Sequence, residues 1–503
     1  MNKISQILSF FPELTFIGNS EIEIQYIQAD SRKIQKKDIF CLYTNFTKEQ
    51  KIQYCNNALQ NGANCVFVST EEDPDIYSQF PNTIKSSIAP EFMHGKLASF
   101  LKGIPSLELK IIAVTGTNGK TSITNILYQL LNFLGFKAGL IGTIEIVYGD
   151  KKIQSNYTTP DPSSLNAILR DMVDAGMDFV CMEASSHGLK LGRLEGIHLF
   201  GGLFTNLTPD HLDFHPDMQD YMLSKFYLFQ LLEKSLKPKK LGLVSTDSPG
   251  GKEMLALIQK FPFTYPICKF GIDGDYTGTL EALSLNSTKF KIQKKGSAFW
   301  NLETNLLGNF NYINVSMALL FLLESLPEFS IDYYVDKIKD LQPVPGRFEI
   351  VRGEFLDRIA VVDYAHTPDA MENILTSIRE IPHSQIITIF GCGGDRDRKK
   401  RPVMAEIAIK YSDFVIITSD NPRTEDPERI LDEIQEGLPK EASKWIRILD
   451  RKQAIKKGIE MLPKNGILLV AGKGHENYQI IGTQKLYFSD KEELFRAFQN
   501  LLL

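Results

Sequence analysis

The stretch Ile111-Ile112-Ala113-Val114-Thr115-Gly116-Thr117-Asn118-Gly119-Lys120-Thr121 decides how the rest of the chain is read. Its apolar start predicts a short buried strand, and its glycines predict a tight turn. The residues after it place Ile123, Ile126, Leu127, Leu130, Leu131 and Leu134 at helical spacing. A strand, a glycine loop and a helix opening at Lys-Thr form a phosphate cradle. Backbone N–H groups and the helix N-terminus face anionic oxygens, Lys120 adds positive charge, and the Thr121 hydroxyl can hold Mg²⁺. The longer P-loop spacing needs glycine where Val114 stands, so this is the shorter TGTNGKT form. ATP binding by Thr115, Gly116, Thr117, Asn118, Gly119, Lys120 and Thr121 is the first expectation.

A chain of 503 residues predicts about three domains, each able to bury its own core. A net charge of −5 argues against a general nucleic-acid binder, which needs a basic excess to neutralise phosphates. The six cysteines (41, 55, 65, 181, 268 and 392) include no CxxC, which predicts reduced thiols in a cytoplasmic protein. MNKISQILSFFPEL has too short an apolar run for a signal peptide and predicts a docking helix. No apolar run reaches the length of a membrane span, so none is expected.

An α/β chain of three domains is expected: 1–108, 109–342 and 343–503. In the first, Asp30-Ser31-Arg32 leads into a strand, and Ser31 and Arg32 offer polar groups to a phosphate or base edge. In the second, GLIGTIEI (139–146) reads as one strand, and NYTTPD (156–161) as a polar turn in which Thr158 and Thr159 offer hydroxyls. Glu183 follows an apolar strand, where a second Mg²⁺ ligand belongs beside a P-loop. Ser185, Ser186 and His187 share its loop. His211 and Asp213 can ligate a metal or hold phosphates, whereas His215 reads equally well as a turn residue.

Lys225 sits among Tyr221, Met222, Phe226, Leu228 and Phe229, without an obvious partner. It reads either as a stem packed on apolar neighbours or as a reactive amine with a lowered pKa, which carbamylation would turn into a metal ligand. Asn311 and Asn314 open a helix, as caps or as amides addressing a nucleotide. QPVPGRFEI (342–350) marks a boundary, and Arg347 just beyond it is placed to reach ATP. The last segment alternates strands with helices, and four strands end in loops rich in Gly, Asp, Arg or His. A parallel sheet gathers such loops along one edge.

Together, TGTNGKT, TTPD, SSHGL, DHLDFH, GRFE, DYAHTPD, GCGGDRD, DNPR and GKGHE resemble the Mur ligases, ATP-dependent amide-forming enzymes of peptidoglycan precursor synthesis. The likeness is greatest to the branch that adds diaminopimelate. It implies an N-terminal UDP-binding domain, a central ATPase and a C-terminal Rossmann-like domain that brings the amino acid. By motif, Ser31, Thr158, Thr159, Ser185 and Arg193 would contact UDP-N-acetylmuramoyl-L-Ala-D-Glu. Thr121, Glu183, His211 and a carbamylated Lys225 would serve Mg²⁺. Asn311, Asn314, Arg347 and Asp363 would lie near the nucleotide, and Arg396, Asp420, Asn421, Pro422, Arg423, Gly472 and Glu476 would bind meso-diaminopimelate. A monomer without a membrane span or nucleic-acid partner is expected.

The pattern departs from the family after residue 40. CLYTNFTKEQK stands in place of a glycine-containing segment ending in Asp-Gly, so the usual uridine contacts are not carried over to that loop, whereas that of Ser31 is. Gly188 for a more usual alanine is expected to alter little. The resemblance also implies an acyl-phosphate mechanism. Arg423 favours diaminopimelate over lysine, because lysine would leave a buried guanidinium unpaired, at about 2–5 kcal/mol. The alternatives are a lysine-adding or other Mur or folylpolyglutamate-type ligase, and an ATP-binding scaffold. DNPR argues against the first, DNPR with GKGHE against the sister ligases, and the filled Lys120, Glu183, His211 and Lys225 positions against the scaffold.

Overall fold

The computed structural model describes residues 2–155, 157–353, 357–441 and 443–501. Asn156, which opens the expected polar turn, lies outside them. The chain forms two compact units, one of residues 1–277 and 317–330, the other of residues 278–316 and 331–503.

In the first unit, a five-stranded sheet runs in the order Thr15–Ile17, Thr83–Ser86, Cys65–Ser69, Ile39–Cys41, Ile27–Gln28. The expected N-terminal helix forms at Ile4–Phe10 and buries Ile4 and Ile7 in that sheet's core. A polar relay joins this sheet to the helix Pro162–Asp174. Tyr43 Oη lies 2.8 Å from His94 Nδ1, and His94 Nε2 lies 2.6 Å from Ser163 Oγ. Ser163 Oγ donates to Ile27 O at 2.6 Å, so His94 must carry its proton on Nε2 and accept from Tyr43. Tyr43 and Thr44 belong to the atypical segment after residue 40, and both fasten to the helix Pro90–Leu101. Thr44 does so through Glu91 Oε1, at 2.6 Å from its N–H.

The larger sheet of this unit places Phe179–Glu183 and Leu199–Phe204 on either side of Lys110–Thr115, all parallel. Such strands are buried on both faces and read as continuous apolar runs. GLIGTIEI is two strands, not one. Ala138–Ile141 and Glu145–Tyr148 pair antiparallel across a turn at Gly142 and Thr143. The apolar residues on both sides of Thr143 hid that turn.

In the second unit a six-stranded sheet runs Glu349–Arg352, Ile359–Asp363, Ile467–Ala471, Ile386–Phe390, Phe414–Ile417, Trp445–Arg447. The first pairing is antiparallel and the rest are parallel. The carboxyl ends of four parallel strands therefore present DYAHTPD, GCGGDRD, DNPR and GKGHE on one edge. The last loop is not followed by a helix, as the alternation suggested. A hairpin, Tyr478–Ile481 with Gln484–Tyr487, comes first, and the helix Asp490–Asn500 follows. Behind this edge Arg451 and Asp490 form a fully buried pair, with Nε and Nη2 each 2.7 Å from a carboxylate oxygen.

All six cysteines are free and buried. Among the described residues no helix is long and apolar enough to cross a membrane.

Candidate active site

In the first unit, the strand Lys110–Thr115 delivers the glycine loop to the helix Lys120–Phe133. Gly116 has φ +150°, and a Cβ there would lie 1.8 Å from Thr205 Oγ1. Gly119, at φ +84°, is the left-handed residue that turns the chain into the helix. The loop is held from outside by residues the sequence did not single out. Asn118 N–H donates to Asn206 Oδ1 at 2.9 Å, Thr205 Oγ1 donates to Asn118 O at 2.6 Å, and Thr117 Oγ1 lies 3.1 Å from Tyr221 Oη. Lys120 Nζ donates to Gly116 O and Thr117 O at 2.9 and 2.7 Å, so its ammonium lies over the loop.

Glu183 is fully buried at the end of the strand beside the loop. Thr121 Oγ1 donates to its Oε2 at 2.9 Å, and Thr143 N–H donates to its Oε1 at 2.7 Å. A hydroxyl whose proton is spent on a carboxylate keeps its lone pairs for a cation. The residues expected to bind substrate gather here too. Thr143 Oγ1 lies 3.1 Å from both Thr158 Oγ1 and Glu183 Oε2, and Thr159 Oγ1 donates to Glu183 O at 2.9 Å. Ser185 N–H donates to Thr159 Oγ1 at 3.0 Å, and Arg193 Nη1 donates to Thr159 O at 2.7 Å. Gly188 matters more than expected: a Cβ at that position would lie 2.8 Å from Thr159 Cβ. Ser31 is buried in a turn capped by Asp30, and Lys33 of that turn reaches Asp161 at 3.8 Å. Arg32, though exposed, is paired with Asp30, its Nε and Nη2 each 2.9 Å from a carboxylate oxygen.

Lys225 is 1% exposed and does have a partner: its Nζ donates to Gly116 O at 2.7 Å and sits 4.2 Å from the Tyr221 ring. Burial, with the Lys120 charge adding to it, pushes its pKa well below the ordinary lysine value. His211 has φ +54°, and its pKa is lowered chiefly by burial, with Lys120 and Lys225 contributing. His187 stacks on Phe214 at 3.9 Å and meets His211 edge-on at 4.9 Å. His215 is a buried partner of Asp220, at 2.6 Å.

Among the described residues no three His, Cys, Asp or Glu side chains form a metal cage. One buried carboxylate bridged to a hydroxyl suits Mg²⁺, which keeps several waters and takes the rest of its shell from phosphates.

In the second unit, Asn311 and Asn314 lie in the first turns of the helix Asn309–Ser325, 3.4 Å apart through Nδ2 and Oδ1. Arg347 stacks over Tyr364 at 5.3 Å. Asp363 accepts from Phe348 N–H and Ala365 N–H at 2.7 and 2.8 Å.

The loops at the sheet edge converge. Asn421 Nδ2 donates to Glu476 Oε2 at 2.9 Å, and the buried Lys473 lies 3.3 Å from Glu476 and 3.6 Å from Asp420. Gly472 packs so close that a Cβ would meet Asp420 Oδ2 at 2.8 Å. Pro422 is buried, and its carbonyl abuts Gly394. Arg423, at φ +51°, donates through Nη1 to Gly394 O at 2.8 Å, which leaves its Nε and Nη2 without a partner among the described residues. Arg396, on the neighbouring loop, is exposed. Lys473 escaped the sequence reading because its neighbours in GKGHE carry the obvious chemistry.

Comparison with known proteins places this geometry in a family. Residues 114–322 match the Mur ligase middle domain, and 346–474 match the Mur ligase glutamate ligase domain. The UDP-N-acetylmuramoyl-L-alanyl-D-glutamate--2,6-diaminopimelate ligases of Leptospira borgpetersenii and Leptospira interrogans are 46% and 45% identical to it, each over 99% of both chains. A solved structure of a ligase of that name is 32% identical, covers 96% of both chains and superposes with a TM-score of 0.71. With its cradle, its converging loops and its whole length matched in this way, the chain belongs to the Mur ligase family.

Proposed function

We propose that the protein joins meso-2,6-diaminopimelate to UDP-N-acetylmuramoyl-L-Ala-D-Glu at the expense of ATP, in the cytoplasm, through an acyl phosphate. The γ-phosphoryl group passes from ATP to the D-glutamate side-chain carboxylate and ADP leaves. The amino-acid amine then attacks the acyl carbon and phosphate departs. Lys120 and the loop N–H groups bind the phosphates and offset their repulsion of the carboxylate. Thr158, Thr159, Ser185 and Arg193 hold the dipeptide end, and Ser31 the UDP end. Asn311, Asn314, Arg347 and Asp363 complete the nucleotide's surroundings. Mg²⁺, held by Thr121, Glu183, His211 and a carbamylated Lys225, would supply charge neutralisation. The depressed basicity of Lys225 supports that reading, since only an uncharged amine takes up CO₂. These roles divide the chain into functional domains at about residues 109 and 343.

The observation that carries the reading is the Arg423 guanidinium edge in the same loop cluster as Asp420, Asn421 and Glu476. The far end of diaminopimelate bears a carboxylate and an ammonium, and this cluster offers a partner to each. Arg396 adds a second cation for the carboxylate. Phosphate release with ATP, Mg²⁺ and the UDP-dipeptide tests it, comparing meso-diaminopimelate with L-lysine. Turnover with diaminopimelate and little with lysine is expected, and the reverse order would refute the role of Arg423.

A further inference from the structure

Arg423 and Asp395 are both non-glycine residues in the left-handed region, at φ +51° and +55°, on facing loops. Such a conformation persists only where the surroundings enforce it. The two loops are laced together directly. Asp395 accepts from Thr424 N–H at 3.2 Å and from Thr424 Oγ1 at 2.8 Å, and Asp395 N–H donates to Glu425 Oε1 at 2.5 Å.

Beneath the lacing lies Arg401, whose side chain is fully buried in the helix Lys400–Tyr411. Its Nη1 and Nη2 donate to Glu425 Oε2 and Oε1 at 3.0 and 2.9 Å, a bidentate pair. Nη2 also reaches Gly393 O at 3.2 Å, in the loop that carries Asp395 and Arg396. From the helix Pro427–Gln435, Glu433 accepts from Arg401 Nη1 at 2.7 Å. One guanidinium thus ties the GCGGDRD loop, the DNPR loop and two helices. A bidentate guanidinium–carboxylate pair fixes orientation as well as distance, which an ammonium cannot do.

We propose that Arg401 and Glu425 are positioning residues that set amino-acid selectivity by fixing the Arg423 fork, though neither touches the substrate. The proposal rests on the reading of the loop cluster as the amino-acid site. Because the fork's other edge is held by Gly394 O, a small shift of this loop pair re-aims the edge that meets the carboxylate. A displacement of that size at a binding constellation costs affinity without disturbing distant steps.

The test is steady-state kinetics on the full-length Glu425→Gln and Arg401→Lys variants, with thermal melts to confirm folding. The KM for diaminopimelate should rise about tenfold, the scale of one charge-assisted hydrogen bond. The ratio of kcat/KM for diaminopimelate over lysine should fall by a similar factor, while the KM values for ATP and the UDP-dipeptide stay unchanged. Arg398→Ala removes the exposed partner of Glu433 and should leave all three KM values alone. If Arg401→Lys does not fold, Glu425→Gln carries the test. A folded Glu425→Gln with an unaltered KM and selectivity would overturn the proposal while the ligase reading stands. A wild-type protein that joins lysine instead would overturn the choice of amino acid, and with it the selectivity role of this loop pair.

Discussion

The glycine cradle of the first unit and the loop cluster of the second are built in opposite ways. The cradle is one contiguous stretch in which glycines at φ +150° and +84° let the backbone face a ligand, and Lys120 completes it. The loop cluster is assembled from three strand ends, dispersed between Gly391 and Glu476, and its geometry depends on buried ion pairs behind it. Backbone-built sites tolerate surgery on single side chains without unfolding. Sites built by side-chain clamps join function to local stability.

The largest effect should come from the cradle. Lys120→Met removes the ammonium that lies over the loop, the group proposed to bind the phosphates, and is expected to lower kcat about 10³-fold, with the melting temperature nearly unchanged. A large loss of stability there would break the contrast. In the cluster, Asp490→Asn leaves the buried Arg451 charge short of its partner. It should destabilise the protein by about 3–5 kcal/mol in urea unfolding, with activity falling only as the fold does.

The relay at His94 extends the comparison to the N-terminal sheet. Burial pushes its pKa down to about 4, below the unfolded value of about 6.5. Between those values the unfolded chain binds a proton that the native one refuses, so stability falls as pH drops from 6.5 towards 4. The loss should approach about 3 kcal/mol, and His94→Gln should flatten that part of the curve. The smallest effect is expected for Gly188→Ala, where the new methyl group presses on Thr159. A cost of about 1–3 kcal/mol and a higher KM for the UDP-dipeptide should follow, with the KM for diaminopimelate unchanged.

This contrast also explains what the sequence made legible. TGTNGKT could be read directly because strand, turn and helix signals are local and consecutive. Glu183 could be read from its place at a strand end, but Thr143, which binds it, was hidden inside an apolar run that looked like a single strand. In the cluster, DNPR and GKGHE advertise Arg423 and Glu476, whereas Arg401 and Arg451 look like ordinary helix cations. Only the tertiary structure reveals that their side chains are fully buried. Lys225 lies between these cases. The sequence placed it among apolar residues, and its partner proved to be a backbone carbonyl 109 residues away, for which no side-chain pattern exists.

The helix Asn309–Ser325 divides between the two units at residue 316, and residues 317–330 return to the first one. There Phe321 packs so closely on Gly201 that any side chain at 201 would collide with its ring. Neither unit is therefore an unbroken length of chain. A fragment stopping at residue 277 would lack part of its own interior, and one starting at 278 would carry the missing piece as an exposed apolar graft. Independent expression of the halves should give poorly soluble products. A single cleavage in an exposed loop would leave the nicked polypeptide folded. The two units are inherited together because the chain has been sewn through both, and recombination at one point could not exchange either of them alone.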